Sequence, residues 1–295
     1  MRVKVRVPAT TANLGSGFDC VGLAVDWYDE LTLETSDTPG VEIEVTGEGA
    51  AQVPLDASHL VIATIRHCLK LWQVPGPAGL RLSAHNTIPH ARGLGSSAAA
   101  IAAGCALAHA LAWPEKELDR PELAKVASLL EGHPDNAAAA VWGGAILAWI
   151  EGQEVEVIRL EPASGLGCLA LVPDFEVPTS GARAVLPEVV TRSDAVAQAI
   201  RAASLPKALE QRPDLLLSAT RDRLHQSHRA ELMPQSWELM NRLRDHGVPA
   251  TISGAGPTVF ALGLPGQLAA AAEVGHDGFT RHDLGIGQGV AAIVC

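Results

Sequence analysis

The sequence predicts an α+β fold in two parts. Three observations predict it. Four short segments with period-two alternation or β-branched content lie before about residue 85. A run from Gly93 to Trp113 without Asp, Glu, Lys or Arg reads as a central helix buried on nearly all sides. Strands and helices then alternate beyond the polar turn Glu151-Gly152-Gln153.

In chain order, Val3 to Val7 alternates valine with basic residues and is a strand, as are Leu31 to Thr35, Val41 to Val45 and Leu80 to Ala84. Between the last two lies a helix from about Ser58 to Trp72, stopped by Pro75-Gly76-Pro77. Pro121 opens an amphipathic helix through Leu130, since proline is tolerated in the first helical turn. Asn136 to Trp142 is a short helix ended by Gly143-Gly144, and strands follow at Ala145 to Ile150 and Val155 to Leu160. The composition changes over about residues 152–165, which gives domains 1–157 and 158–295. The second half reads as a strand Cys168 to Val172, helices between Ser193 and His246, strands Ala250 to Ser253 and Thr258 to Leu262, a helix Gln267 to Val274 and a closing strand Gly289 to Val294.

With 295 residues, 47% of them hydrophobic, the chain is long enough for a large core. A net charge of −11 without a basic cluster argues against a general nucleic-acid or anionic-membrane surface. The Gly93 to Trp113 run has the length of a membrane span, but it is mostly Ala, Gly and Ser with His109 inside, so no membrane insertion is expected. Five scattered cysteines with no C-x-x-C pair read as reduced thiols, and the N-terminal strand offers no apolar signal core, so a cytoplasmic protein is expected.

Three segments carry chemistry. Pro89-His90-Ala91-Arg92-Gly93-Leu94-Gly95-Ser96-Ser97-Ala98-Ala99 runs from a glycine pair through a serine pair into a helix, the pattern of a phosphate cradle: backbone approaches the anion and free helix N–H groups point at it. A plain Gly-rich turn capped by Ser96 or Ser97 is the alternative. It is neither a Walker A loop nor a G-x-G-x-x-G fingerprint. Glu131-Gly132-His133-Pro134-Asp135-Asn136 gathers two carboxylates, an imidazole and an amide between two helices, a donor set suited to Mg²⁺; an N-cap by Asp135 or Asn136 is the alternative. Ser253-Gly254-Ala255-Gly256-Pro257-Thr258 is a second glycine-rich turn between strands. The loop Pro8 to Ala24, crowded with small residues around Asn13, Phe18 and Asp19, gains meaning beside these.

Together the segments resemble the GHMP small-molecule kinases, three of whose motifs are present in order: the opening loop, the Gly93-Leu94-Gly95-Ser96-Ser97-Ala98-Ala99 phosphate loop and the late Gly254-Ala255-Gly256-Pro257-Thr258 turn. The opening segment, with Asn13-Leu14-Gly15 and Gly17-Phe18-Asp19, is similar to the homoserine kinases among them. The resemblance spans nearly the whole chain. It implies an N-terminal α/β domain carrying the phosphate loop and a C-terminal ferredoxin-like α+β domain, with the active site between them. It also implies transfer of the ATP γ-phosphate to the hydroxyl of L-homoserine, in threonine biosynthesis.

By position, the resemblance puts Pro89 to Ala99 around the ATP phosphates, Ser97 and Glu131 on Mg²⁺, and Asn136 near the transferred group. Asp19 meets the acceptor hydroxyl as base or as orienting group. Asn13 and Asp135 lie near the amino group, and Arg183 and Arg229 take the carboxylate, with Arg223 the alternative to Arg229. A homodimer is a family-level expectation. The chain departs from the family pattern at Gly181, at Gln226-Ser227-His228 and at His59, which stands where an asparagine often lies beside adenine. The other readings are a GHMP kinase for mevalonate-type or sugar acceptors and an inactive ligand sensor.

Overall fold

The computed structural model describes the backbone of residues 1–295 and every side chain but those of Thr179 and Ser180. The first part comprises β1 (Arg2–Asn13), β2 (Gly17–Ser36), β3 (Gly40–Gly47), α1 (Leu60–Leu71), β4 (Gly79–Asn86), α2 (Ser96–Ala112), α3 (Arg120–Glu131), α4 (Pro134–Trp142), β5 (Ala145–Glu151) and β6 (Glu154–Leu160). The second comprises β7 (Gly167–Pro173), α5 (Thr179–Ala184), α6 (Arg192–Glu210), α7 (Leu216–Ala219), α8 (Gln226–Arg229), α9 (Pro234–Asp245), β8 (Ala250–Ile252), β9 (Val259–Gly263), α10 (Pro265–Ala269), β10 (Phe279–Leu284) and β11 (Ala291–Val294).

The first sheet runs β11-β1-β2-β4-β3, with β5 paired to β2 and β6 to β5. Its pairs are antiparallel except β3–β4, whose parallel register needs the α1 crossover between them. Because strand side chains alternate in direction, Val3, Val5 and Val7 enter the core while Arg2, Lys4 and Arg6 stay exposed. The helices α1 to α4 cover that core face. Helix α2 is buried along most of its length, and its alanines and Gly104 let α1 lie close against it. A Cβ at Gly104 would meet the Thr64 Cβ at 2.6 Å.

The second sheet has the order β10-β7-β9-β8, all antiparallel. With helices between β7 and β8 and between β9 and β10, this is the βαββαβ arrangement of a ferredoxin-like fold. Alternation again divides the two faces. Cys168, Ala170, Phe260 and Leu262 join Leu205 and Leu209 of α6 in the main core, while Leu169, Leu171, Val259 and Ala261 pack on α9 in a second, smaller core.

Four features differ from the sequence expectation. The segment Pro8 to Ala24 is not a loop: β1 continues to Asn13 and β2 starts at Gly17, because Thr10 to Ala12 pair with Gly22 to Ala24 and only the tip turns. The helix expected to Val274 stops at Ala269 and tightens into a 3₁₀ turn over Ala270–Glu273. Strand β10 has no expected counterpart, since Thr280 to Asp283 is polar and half exposed at a sheet edge, so no apolar alternation marks it. Finally, β11 pairs with β1, so the chain's last strand is built into the first sheet.

Candidate active site

Four loops meet at one cleft of about 170 Å³. They are the β1–β2 turn, the β4–α2 loop, the α3–α4 junction and the β8–β9 turn, joined by Arg183 from α5 and Arg229 from α8. Of the residues singled out by sequence, Asn13, Asp19, Ala91, Gly93, Gly95, Ser96, Ser97, Glu131, Asp135, Asn136, Arg183 and Arg229 all line it. His90 lines the adjoining cavity, Pro89 faces a separate depression beside Trp27 and Arg92, Leu94 is buried beneath the loop, and Ala98 and Ala99 are buried inside the helix.

Helix α2 begins at Gly95, which caps it in the left-handed region (φ +70°) without any side-chain cap, so neither serine is spent on capping. Its first N–H groups, unpaired by the geometry of any helix start, face the cleft end of the loop. The two loop glycines have a different reason from the expected one. A Cβ on Gly95 would sit 2.0 Å from the Thr10 Oγ1, and one on Gly93 2.3 Å from the Ser253 carbonyl oxygen. Glycine here lets the loop dock onto β1 and the β8–β9 turn. Ser253 Oγ donates to the Gly93 carbonyl at 2.6 Å and lies 2.8 Å from Thr11 Oγ1. The Arg92 guanidinium points away from the cleft, donating to the Pro173 and Asp174 carbonyls at 3.0 and 2.8 Å and pairing with Glu176, so it ties the loop to the second domain.

At the α3–α4 junction, Gly132 ends α3 with φ +86° and His133 caps α4 by backbone alone, so Asp135 and Asn136 are not the N-cap. Both stand in the first turn of α4. Asp135 is buried; its Oδ1 accepts from the Asn136 N–H at 2.7 Å and lies 3.0 Å from His133 Nδ1. That hydrogen bond raises the His133 pKa above its ordinary 6.5 against the opposing effect of burial. Asn136 Oδ1 accepts from Thr10 Oγ1 at 2.9 Å, which leaves its amide nitrogen as the group to offer a ligand. Ser97 Oγ donates to Glu131 Oε2 at 2.9 Å.

On the opposite wall, Asn13, Leu14 and Asp19 all hold positive φ (+72°, +41° and +57°), a cost that accumulates where a site fixes its geometry. Asn13 Oδ1 accepts from the Asp19 N–H at 2.9 Å and its Nδ2 donates to the Gly254 carbonyl at 2.9 Å. Arg183 grips Asp19 in a two-pronged pair, at 3.0 and 2.8 Å. That pairing raises the arginine's pKa further. Arg229 is buried: its Nε donates to the Ala182 carbonyl at 2.9 Å, and its Nη1 donates to Gly254 O and reaches His225 Nδ1, both at 3.1 Å. Burial, then the charge of Arg183, pushes its pKa down. Arg223 lies outside the cleft.

His225 is fully enclosed. It faces Gly15 O through Nε2 at 2.8 Å and stacks on Phe18 with centroids 4.8 Å apart. With Nδ1 taking the Arg229 proton donor, the imidazole is the neutral Nε2–H tautomer, which agrees with the lowering of its pKa by burial. Sequence reasoning passed over His225 and Thr10. A threonine pair within an otherwise apolar strand end was the one available signal for Thr10; nothing local marked His225.

A second cavity of about 310 Å³ adjoins the first and shares Ala91, Ser96 and Ser97 with it. Its walls are mostly apolar, from Val7, Leu31, Val53, Pro54, Leu60 and Val61. His59, buried and lowered in pKa by that burial, lines it with an Nδ1 that has no hydrogen-bond partner. Asp29 accepts from the Thr87 and Ile88 N–H groups at 2.6 and 2.9 Å and so fixes the start of the phosphate loop.

A helix N-terminus in a polar cleft, beside an apolar pocket of nucleoside proportions, defines a small-molecule kinase site. Family models agree: "GHMP kinases N terminal domain" matches residues 59–144 and "GHMP kinases C terminal" matches residues 194–276. The homoserine kinase of Cutibacterium acnes is 54% identical over 98% of both chains, and that of Streptomyces avermitilis 44% identical over 99% of this chain and 95% of its own. The crystal structure of homoserine kinase from Cytophaga hutchinsonii superposes with a TM-score of 0.86 at 29% identity, covering 99% of this chain and 97% of that one. L. major mevalonate kinase, at 16% identity and a TM-score of 0.71, shares the fold. The chain belongs to the GHMP kinases and, within them, to the homoserine kinase family.

Proposed function

We propose that this chain transfers the γ-phosphoryl group of ATP to the side-chain hydroxyl of L-homoserine, giving O-phospho-L-homoserine for threonine biosynthesis. The observation that carries it is the two-ended character of the cleft. Asp19 and Asp135 stand with two arginines, Arg183 and Arg229, beside a phosphate-binding helix start. An amino acid brings one cation and one carboxylate, and this set answers both. A mevalonate-type or sugar acceptor brings no ammonium group for Asp135 to meet.

In this reading the apolar cavity, which His59 helps to line, takes the nucleoside, and the N–H groups of Gly95 to Ser97 take the phosphates. Ser97 and Glu131 fit Mg²⁺: two oxygen donors in contact suit an ion that completes its shell with water and phosphate. The ion supplies charge neutralisation on the transferred group. Asn136, turned by Thr10, donates to that group.

Arg183 and Asp19 act as a pair. The arginine leaves Asp19 for the incoming carboxylate, and the freed carboxylate then receives the acceptor hydroxyl, held in place by Asn13. Arg229, fixed by three hydrogen bonds, is the rigid half of the carboxylate fork. Division of the chain into domains 1–157 and 158–295, a cytoplasmic location and a homodimer belong to the same proposal.

The test is ADP release by the purified chain with MgATP, against L-homoserine, D-homoserine, L-threonine, mevalonate and galactose. Turnover with L-homoserine is the expected result. Preference for mevalonate, a carboxylate without an amino group, overturns the assignment of Asp135; preference for galactose overturns those of Arg183 and Arg229 as well; and no turnover with any acceptor overturns the kinase reading.

A further inference from the structure

Away from the active site, a cleft of about 250 Å³ opens between α6, α9 and the segment joining α7 to α8. Four arginines line it: Arg201 from α6, Arg221 and Arg223 from the joining segment, and Arg244 from α9. This is a concentrated positive site in a chain that carries 22 Lys and Arg and a net charge of −11. None of the four forms an ion pair with a carboxylate among the described residues. Two acids line the same cleft, Asp222 and Asp245, so four cations face two anions. Asp222 has both oxygens committed to backbone N–H groups, Oδ1 to Leu224 at 2.8 Å and Oδ2 to His225 and Gln226 at 3.0 and 2.7 Å. Asp245 is exposed at the rim.

The arginines themselves are unevenly satisfied. Arg244 is held in place by neutral oxygens only, donating to Thr220 Oγ1 at 3.0 Å, to the Ala250 carbonyl at 2.7 Å and to the Leu217 carbonyl. Burial, then the neighbouring charges of Arg221 and Arg201, pushes its pKa down to about 10. The Nη1 of Arg201 is buried with no hydrogen-bond partner at all. A buried guanidinium nitrogen lacking an acceptor is costly, and like charges gathered around it add to that cost. An anion removes both penalties together.

We infer that this arginine cleft is a second anion site, built for a small dianion of the phosphate class, either free phosphate or a phosphate monoester. Arginine forks match tetrahedral oxyanions in geometry as well as in charge. The site backs directly onto the acceptor cleft. Thr220 packs under Gly15, where an added Cβ would fall 1.9 Å from the Thr220 carbonyl oxygen. The Arg223 N–H donates to Gln198 Oε1 at 2.9 Å, while Gln198 Nε2 donates to the Ser16 carbonyl at 2.9 Å. Asp222 anchors the backbone of His225, which meets Arg229.

The test is calorimetric titration of inorganic phosphate, and in parallel O-phospho-L-serine, into the full chain saturated with Mg²⁺ and a non-hydrolysable ATP analogue, so that the phosphate loop is filled. Saturable binding of one anion per chain is expected, weakened at least tenfold in Arg201→Gln and in the exposed pair Arg221→Gln/Arg223→Gln, with unfolding midpoints recorded for each. The pair keeps the test decisive if loss of the half-buried Arg201 disturbs folding. Tighter binding of the ester assigns a phosphorylated metabolite, and tighter binding of phosphate assigns the free anion. Absence of saturable binding, or binding unchanged in the folded variants, overturns the inference.

Discussion

Gly95→Ala isolates what the phosphate-loop glycines are for. If glycine serves only anion approach, a methyl group there harms nucleotide binding and leaves stability nearly intact. The geometry says otherwise, because the new Cβ falls 2.0 Å from Thr10 Oγ1. An alanine held at φ +70° costs about 1–2 kcal/mol, and forced packing against a buried strand adds about 1–3 kcal/mol. A loss of about 2–5 kcal/mol is therefore expected. Thr10→Ala removes the clashing oxygen and leaves the nearest contacts at 3.1 Å, to Asn136 Oδ1, and 3.3 Å, to the Cβ of residue 10. In that background the same glycine substitution should cost only the backbone part, about 1–2 kcal/mol. Urea unfolding of the wild type, both single variants and the double variant gives this coupling directly. An equal cost of Gly95→Ala in both backgrounds would refute the docking explanation.

Glu131→Gln should lower kcat by about a hundredfold or more, because several kcal/mol of charge stabilisation rest on the ion, and should raise the Mg²⁺ needed for half-activity; unchanged Mg²⁺ dependence removes Glu131 from the metal site. Arg183→Ala should raise KM for the acceptor about 10–100-fold, from the roughly 1.5–3 kcal/mol of a charged hydrogen-bond pair, while stability changes by less than about 1 kcal/mol because the Arg183–Asp19 pair is half exposed. A stability loss larger than the KM effect contradicts that assignment. His133, whose folded pKa lies above 6.5, contributes stability that is complete below that value and lost as pH rises through the raised one. Thermal melts of His133→Gln and the wild type should therefore differ more at about pH 6 than at about pH 9, and a constant gap counts against the His133–Asp135 pair.

The sheet of the first domain was legible because its buried face repeats every second residue, as in Val3, Val5 and Val7, and a solvated face alternates with it. Helix α2 was legible from its lack of charge. The polar edge strand β10 was not, since pairing with β7 rather than apolar burial defines it. Site composition could be read from residue types, yet the bonding could not: Arg92 reaches across to Pro173, and Arg183 to Asp19, over separations that no local pattern encodes. Likewise, residues 93 and 95 announced themselves as glycines, while the neighbours that require glycine there, Ser253 of the β8–β9 turn and Thr10 of β1, are distant in sequence.

The pairing of β11 with β1 sets an order of events during synthesis. Strand β1 is made first but its outer neighbour is made last, after the whole second domain. At ordinary ribosome speeds of about 5–20 residues per second, the edge of β1 waits roughly fifteen to fifty-five seconds without that partner. A bare, regular strand edge invites pairing with other chains, and outward charges are a common defence. Arg2, Lys4 and Arg6 point outward along that edge. In the finished fold Arg2 pairs with Glu34 and Arg6 stacks on the Tyr28 ring; before the sheet is closed, the same positive charges disfavour pairing of that strand with neighbouring nascent chains.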